Sequence, residues 1–86
     1  MPTLLAFHEV DDLDHWLNSR KREEIFGPLG ITVRTFHDPE RTNRVGLIVE
    51  VPDMAVFEQA MQSEGAAEAM RHDGVRPETL LVLIEH

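Results

Sequence analysis

The chain alternates between segments that read as pleated strands and segments whose apolar residues recur every three or four positions. Residues 3–10 form a first strand, and Asp11-Asp12 follows as a turn. Either aspartate can cap a helix through its carboxylate, and Asp14 suits the positive first turn. Leu13, Trp16, Leu17, Ile25 and Leu29 then form an imperfect apolar stripe, which predicts one helix. It is expected to end near Gly27-Pro28, with Gly30 as the breaker. Residues 31–37 alternate Ile31, Val33 and Thr35 against Thr32, Arg34 and Phe36, the pattern of an edge strand with one wetter face. A polar hairpin loop, 38–43, leads into a third strand at 44–51 and is expected to be exposed and mobile. Asp53 is the expected N-cap of a second helix whose buried stripe is Met54, Phe57, Ala60 and Met61. Gly65 is predicted to kink or break that helix, Met70 continues its inner face, and Gly74 caps its end. The fourth strand is expected after Pro77, at 79–84.

The order is therefore strand, helix, strand, strand, helix, strand within one domain, residues 1–86. Two split βαβ units of this kind predict an α+β, ferredoxin-like βαββαβ plait. Right-handed crossovers give an antiparallel sheet in the order 4-1-3-2, with both helices on one face. The last strand, Thr79-Leu80-Leu81-Val82-Leu83-Ile84, is apolar on both sides of the pleat. The third stays apolar on both parities until Glu50. A strand with one wet face should alternate, and two helical segments can cover only one face of this sheet. The second face needs another copy of the chain, so a sheet-to-sheet homodimer is expected. Eighty-six residues also lie near the lower limit for a self-sufficient core.

Composition narrows the function classes. With no cysteine, disulfides, thiol catalysis and thiolate metal sites are excluded. Leu4–Phe7 is too short for the apolar region of a signal peptide, and nothing approaches a membrane span, so a cytoplasmic protein without membrane contact is expected. Sixteen acidic against eight basic residues give a formal charge of -8. That field repels phosphate backbones, and no nucleic-acid partner is expected. Arg20-Lys21-Arg22, followed at once by Glu23-Glu24, reads as a solvated helix face.

The topology brings potential chemistry to one edge. The first and second strands run the same way, so His8 and His37 finish at the same edge. The first helix starts there with His15 and Trp16, the second ends there with His72, and Arg44 opens the third strand there. Histidine both accepts and donates protons near neutral pH. His8 shares its parity with Leu4, Ala6 and Val10, which places it toward the helices with space beside Ala6. It is the first candidate for acid–base work and His37 the second; Trp16, Phe57, Met61 and His72 are candidate walls of a pocket for a small hydrophobic ligand. Trp16 is expected in the core, with pocket wall as a compatible role. His8 and His37 flank the third strand, about 9–10 Å apart by twice the strand spacing, and no histidine pair has helical i, i+4 spacing. No metal and no cofactor are expected. Asp38, Asp53 and Asp73 read as turn and cap residues.

The series His8-Glu9-Val10-Asp11-Asp12-Leu13-Asp14-His15-Trp16, Gly30-Ile31, Phe36-His37-Asp38-Pro39, Asn43-Arg44-Val45, Val49-Glu50-Val51 and Asp73-Gly74-Val75 resembles the dimeric α/β-barrel superfamily. That group holds the antibiotic-biosynthesis monooxygenase-like proteins and many small uncharacterised members. The resemblance implies two sheets facing each other as a barrel. It is compatible with a cofactor-free monooxygenase, isomerase or cyclase, with haem binding through His72, or with a ligand-binding or structural dimer that catalyses nothing. The chain departs from the oxygenase members in having no Tyr and no Asn in its first strand.

Overall fold

The computed structural model describes residues 2–86. Its elements run β1 Thr3–Val10, α1 Leu13–Asn18, α2 Lys21–Phe26, a 3-10 turn at Gly27–Leu29, β2 Thr32–His37, β3 Arg44–Glu50, α3 Met54–Gln62, α4 Glu64–Asp73 and β4 Val75–Ile84. The strands form one sheet in the order β2-β3-β1-β4, with every neighbouring pair antiparallel. This is the expected 4-1-3-2 plait. Among the described residues no helix is long and apolar enough to cross a membrane.

Both predicted helices are broken, and in each case a serine is the cause. The first divides at Ser19, whose extended backbone ends α1. Its hydroxyl donates to Asp73 Oδ1 at 2.5 Å and accepts from the Lys21 amide, so a tertiary partner outcompetes the local helical geometry. The second divides at Ser63, not at Gly65. Ser63 Oγ accepts from the Ala66 amide at 3.1 Å and caps α4. Gly65 lies inside α4, where an added Cβ would stand 3.2 Å from Ile25 Cδ1. The glycine lets α2 approach α4 rather than breaking the helix. β4 starts at Val75 and carries Pro77 within it, which an edge strand tolerates because that amide has no ladder partner to lose.

The pleat sorts the strands cleanly on the helix side. Leu4, Ala6, His8 and Val10 of β1 and Val45, Leu47 and Val49 of β3 are buried beneath the helices. Trp16, Ile31, Val51 and Ala60 complete the core. On the opposite face, Phe36, Gly46, Phe7 and Leu81 lie side by side across the four strands. Arg34, Ile48, Leu5 and Leu83 form the neighbouring row, apolar except for the arginine on edge strand β2. Phe36 and Phe7 are 47% and 43% exposed, Leu81 and Leu83 52% and 47%, a continuous apolar patch on one side of a small protein. The loop at 38–43 is tied down as well as exposed. Asp38 accepts from Glu40 N and Thr42 Oγ1, Asn43 bonds the end of β1 through the Val10 carbonyl and amide, and Arg41 pairs with Asp14.

Candidate functional site

Between the helix layer and β1–β3 lies a cavity of ≈ 90 Å³, with Ala6, His8, Trp16, Phe57, Met61 and Met70 in its walls. The strand parity that turns Leu4 and Ala6 inward turns His8 inward too, and the ring is only 6% exposed. Its Nδ1 donates to the Glu9 carbonyl at 3.2 Å, because a carbonyl can only accept. That leaves Nε2 as the unprotonated nitrogen. The ring meets Trp16 edge to face, with centroids 5.6 Å apart. Burial pushes the His8 pKa below its ordinary 6.5, with Arg22 adding to the effect and the Glu9 carbonyl opposing it. His8 is therefore a neutral imidazole near pH 7, the form that can accept a proton.

A depressed histidine pKa has a stability consequence. The unfolded chain takes up this proton below pH 6.5 and the folded chain resists it, so acid favours unfolding. The contribution is fully present above 6.5 and is lost as the pH falls through the folded value. We expect His8→Gln to lose less thermal stability than the wild type between pH 7.5 and 5. Parallel melting curves of equal slope with pH would remove the desolvated-imidazole assignment.

A buried ion pair closes one side of the cavity. Asp73 is 2% exposed, and its Oδ2 accepts from Arg22 at 3.2 Å while Ser19 holds Oδ1. The Arg22 guanidinium lies 4.2 Å over the Trp16 ring and donates to the Trp16 carbonyl at 2.9 Å. Burial pulls its pKa down and the Asp73 carboxylate pulls it back. Two readings of the sequence are corrected here. Arg22 is not on a solvated face, and Asp73 is more than a cap. The basic run is divided because Arg22 alone turns toward Trp16, and α4's last residue is drawn inward by the same arginine. Asp38 and Asp53 do hold a turn and a helix start.

The expected histidine convergence resolves into three places. His8 and His37 are both opposite Val45, yet His37 is exposed on edge strand β2, bonded to the Asp38 carbonyl at 2.9 Å, and takes no part in the cavity wall. Trp16, Phe57 and Met61 line the cavity with His8, whereas His72 lies outside it. His72 is paired on the surface with His15, ring centroids 5.0 Å apart. Met70, Arg22 and Asp73 are wall residues that periodicity did not single out as such. For Met70 the inward stripe of α4 was the available signal; for the ion pair there was none, since its members are 51 residues apart.

The sequence matches no family model and no curated protein, but the fold has counterparts among solved structures. A crystal structure of an antibiotic biosynthesis monooxygenase is 14% identical, with 100% of this chain and 97% of that one aligned at a TM-score of 0.68. A protein from Pseudomonas aeruginosa is 13% identical over 99% of this chain and 91% of that one, TM-score 0.65. An ethyl tert-butyl ether D family protein from Bacillus halodurans is 15% identical over 100% and 97%, TM-score 0.55. The chain thus has the ferredoxin-like fold of the antibiotic-biosynthesis monooxygenase-like proteins.

Proposed function

We propose that this protein is a homodimeric barrel that takes up a small apolar molecule in the cavity beside His8. In this reading it acts without a cofactor, as a monooxygenase, isomerase or cyclase. The observation that carries the reading is a neutral, buried imidazole with Nε2 free of its backbone bond, in a cavity that is apolar apart from the Arg22–Asp73 pair on one side. His8 Nε2 takes an acidic proton from the bound molecule, and a positioned base of this kind contributes about two to four decades in rate. The structural likeness to an antibiotic biosynthesis monooxygenase supports the oxidative version, in which a deprotonated phenol reduces dioxygen, one oxygen atom entering the ring as a quinone carbonyl and the other leaving as water. The two apolar outer sheet faces meet across a two-fold axis, the commonest assembly. The absence of cysteine suits a reducing compartment, and we place the protein in the cytoplasm.

The cavity size constrains the ligand. At ≈ 90 Å³ it is smaller than the ~150 Å³ apolar cavity that admits benzene. Entry of a ring therefore requires its walls to give, and unbranched Met61 and Met70 are the side chains that move at least cost. The experiment is a titration with single-ring phenols followed by the emission of Trp16, the single tryptophan, together with oxygen consumption. Saturable quenching is expected, abolished by Ala69→Leu, which adds three carbons to the cavity wall. His8→Gln should keep binding and lose turnover by at least about a hundredfold. The small volume also favours a second reading, a dimer that binds or scaffolds without turnover. Saturable quenching without turnover in the wild type leaves the binding version of that reading standing, and no quenching with the fold intact leaves only the scaffold; either result ends the first.

A further inference from the structure

His15 and His72 are separated by 57 residues in sequence, yet these two exposed rings form one cluster with the buried Asp73. The fold builds this cluster deliberately from three backbone features. β1 and β4 pair through Val10 and Val75. The Asp11 amide donates to the Gly74 carbonyl at 2.9 Å, joining the start of α1 to the end of α4. Gly74 makes that junction possible with its left-handed φ of 72°, and a Cβ there would press on Asp11 at 3.3 Å. His15 then reaches across and donates from Nε2 to the His72 carbonyl at 2.7 Å, while His72 Nδ1 stands 2.9 Å from Asp73 Oδ1.

We propose that His15, His72 and Asp73 bind a zinc-type divalent transition-metal ion. One nitrogen of each ring and one carboxylate oxygen lie within 4.8 Å of one another. Ligands 2.0–2.2 Å from a tetrahedral ion are about 3.3 Å apart. The His72–Asp73 pair is near that spacing already, and the metal replaces the proton now between them. His15 closes the remaining gap by a small ring rotation, which gives up one bond to a helix-end carbonyl. Asp73 is the anchor: Ser19 and Arg22 fix its carboxylate, the supporting contacts that orient a ligand. Both rings are exposed, so an ion has access and solvent can complete its coordination. Two imidazoles and one carboxylate suit zinc or copper and not the oxygen-seeking magnesium or calcium. The chain's charge of -8 favours cations at the surface.

Titration of the untagged full-length protein with zinc chloride in a calorimeter tests the assignment. One ion per chain is expected, with no binding of magnesium at the same concentration. His15→Ala and His72→Ala should each weaken zinc binding at least about tenfold. Both side chains lie outside the core, so circular dichroism should show the fold unchanged. His37→Ala, on the far edge strand, should bind as the wild type does. Absence of a saturable one-to-one isotherm, unchanged affinity in either cluster variant, or an equal loss in His37→Ala overturns the proposal.

Discussion

Phe7→Asp is expected to break the proposed sheet-to-sheet dimer, so that the variant sediments as a monomer at micromolar concentration. Phe7 sits in the middle of the outer sheet face, opposite Gly46 on one side and Leu81 on the other. It is 43% exposed in the single chain, so it contributes little to the chain's own core. Burying a phenylalanine side chain contributes about 1.5–3 kcal/mol, a two-fold axis counts it twice, and about 1.4 kcal/mol is tenfold in dissociation constant. Only the exposed 43% of Phe7 remains to be buried, so the substitution should weaken the dimer by at least about one order of magnitude before the desolvation of two carboxylates is added. Leu81→Asp should act in the same direction, and Thr32→Asp, at the sheet's polar corner, should not. Wild-type protein that sediments as a folded monomer under these conditions would sink the dimer.

Loss of the Asp73 carboxylate should have the largest effect within one chain. Asp73→Ala leaves the Arg22 guanidinium beside Trp16 with no counter-ion, and removing one partner of a buried pair costs about 3–5 kcal/mol. For a domain of this size about 1 kcal/mol corresponds to roughly 4–8 °C in Tm, so the melting temperature should fall by at least about 12 °C. Asp73→Asn keeps the Ser19 bond and should lose less. Replacing both partners, with Arg22→Met and Asp73→Ala together, should recover part of the loss, because no buried charge is then left unpaired. Thermal melts at one fixed protein concentration, needed because a dimer's Tm depends on it, decide the matter. An Asp73→Ala variant within 3 °C of the wild type would show that Arg22 finds water instead.

These two sites sit at opposite ends of what the sequence determines about this protein. The strand boundaries of β1, the order of the sheet, the caps at Asp53 and Gly74 and the inward parity of His8 all follow from local rules. Pleat alternation, capping chemistry and the handedness of crossovers act over a few residues and are written in neighbouring letters. The two-sided apolar runs at 45–51 and 79–84 likewise announce an unpartnered face. Where the helices break, and which charged residues are buried, is decided at longer range. Ser19 ends α1 because Asp73 is within reach of its hydroxyl, and Arg22 leaves the surface because Trp16 and Asp73 offer it a ring and a carboxylate. His8 and His37 share a strand-register position, yet His8 is buried on central β1 while His37, at the end of edge strand β2, is exposed. His15 meets His72 because the pairing of β1 with β4 brings a helix start against a helix end. Each of these contacts joins residues far apart in the chain, so its energy exists only once the sheet has formed, and no periodicity in the sequence carries it.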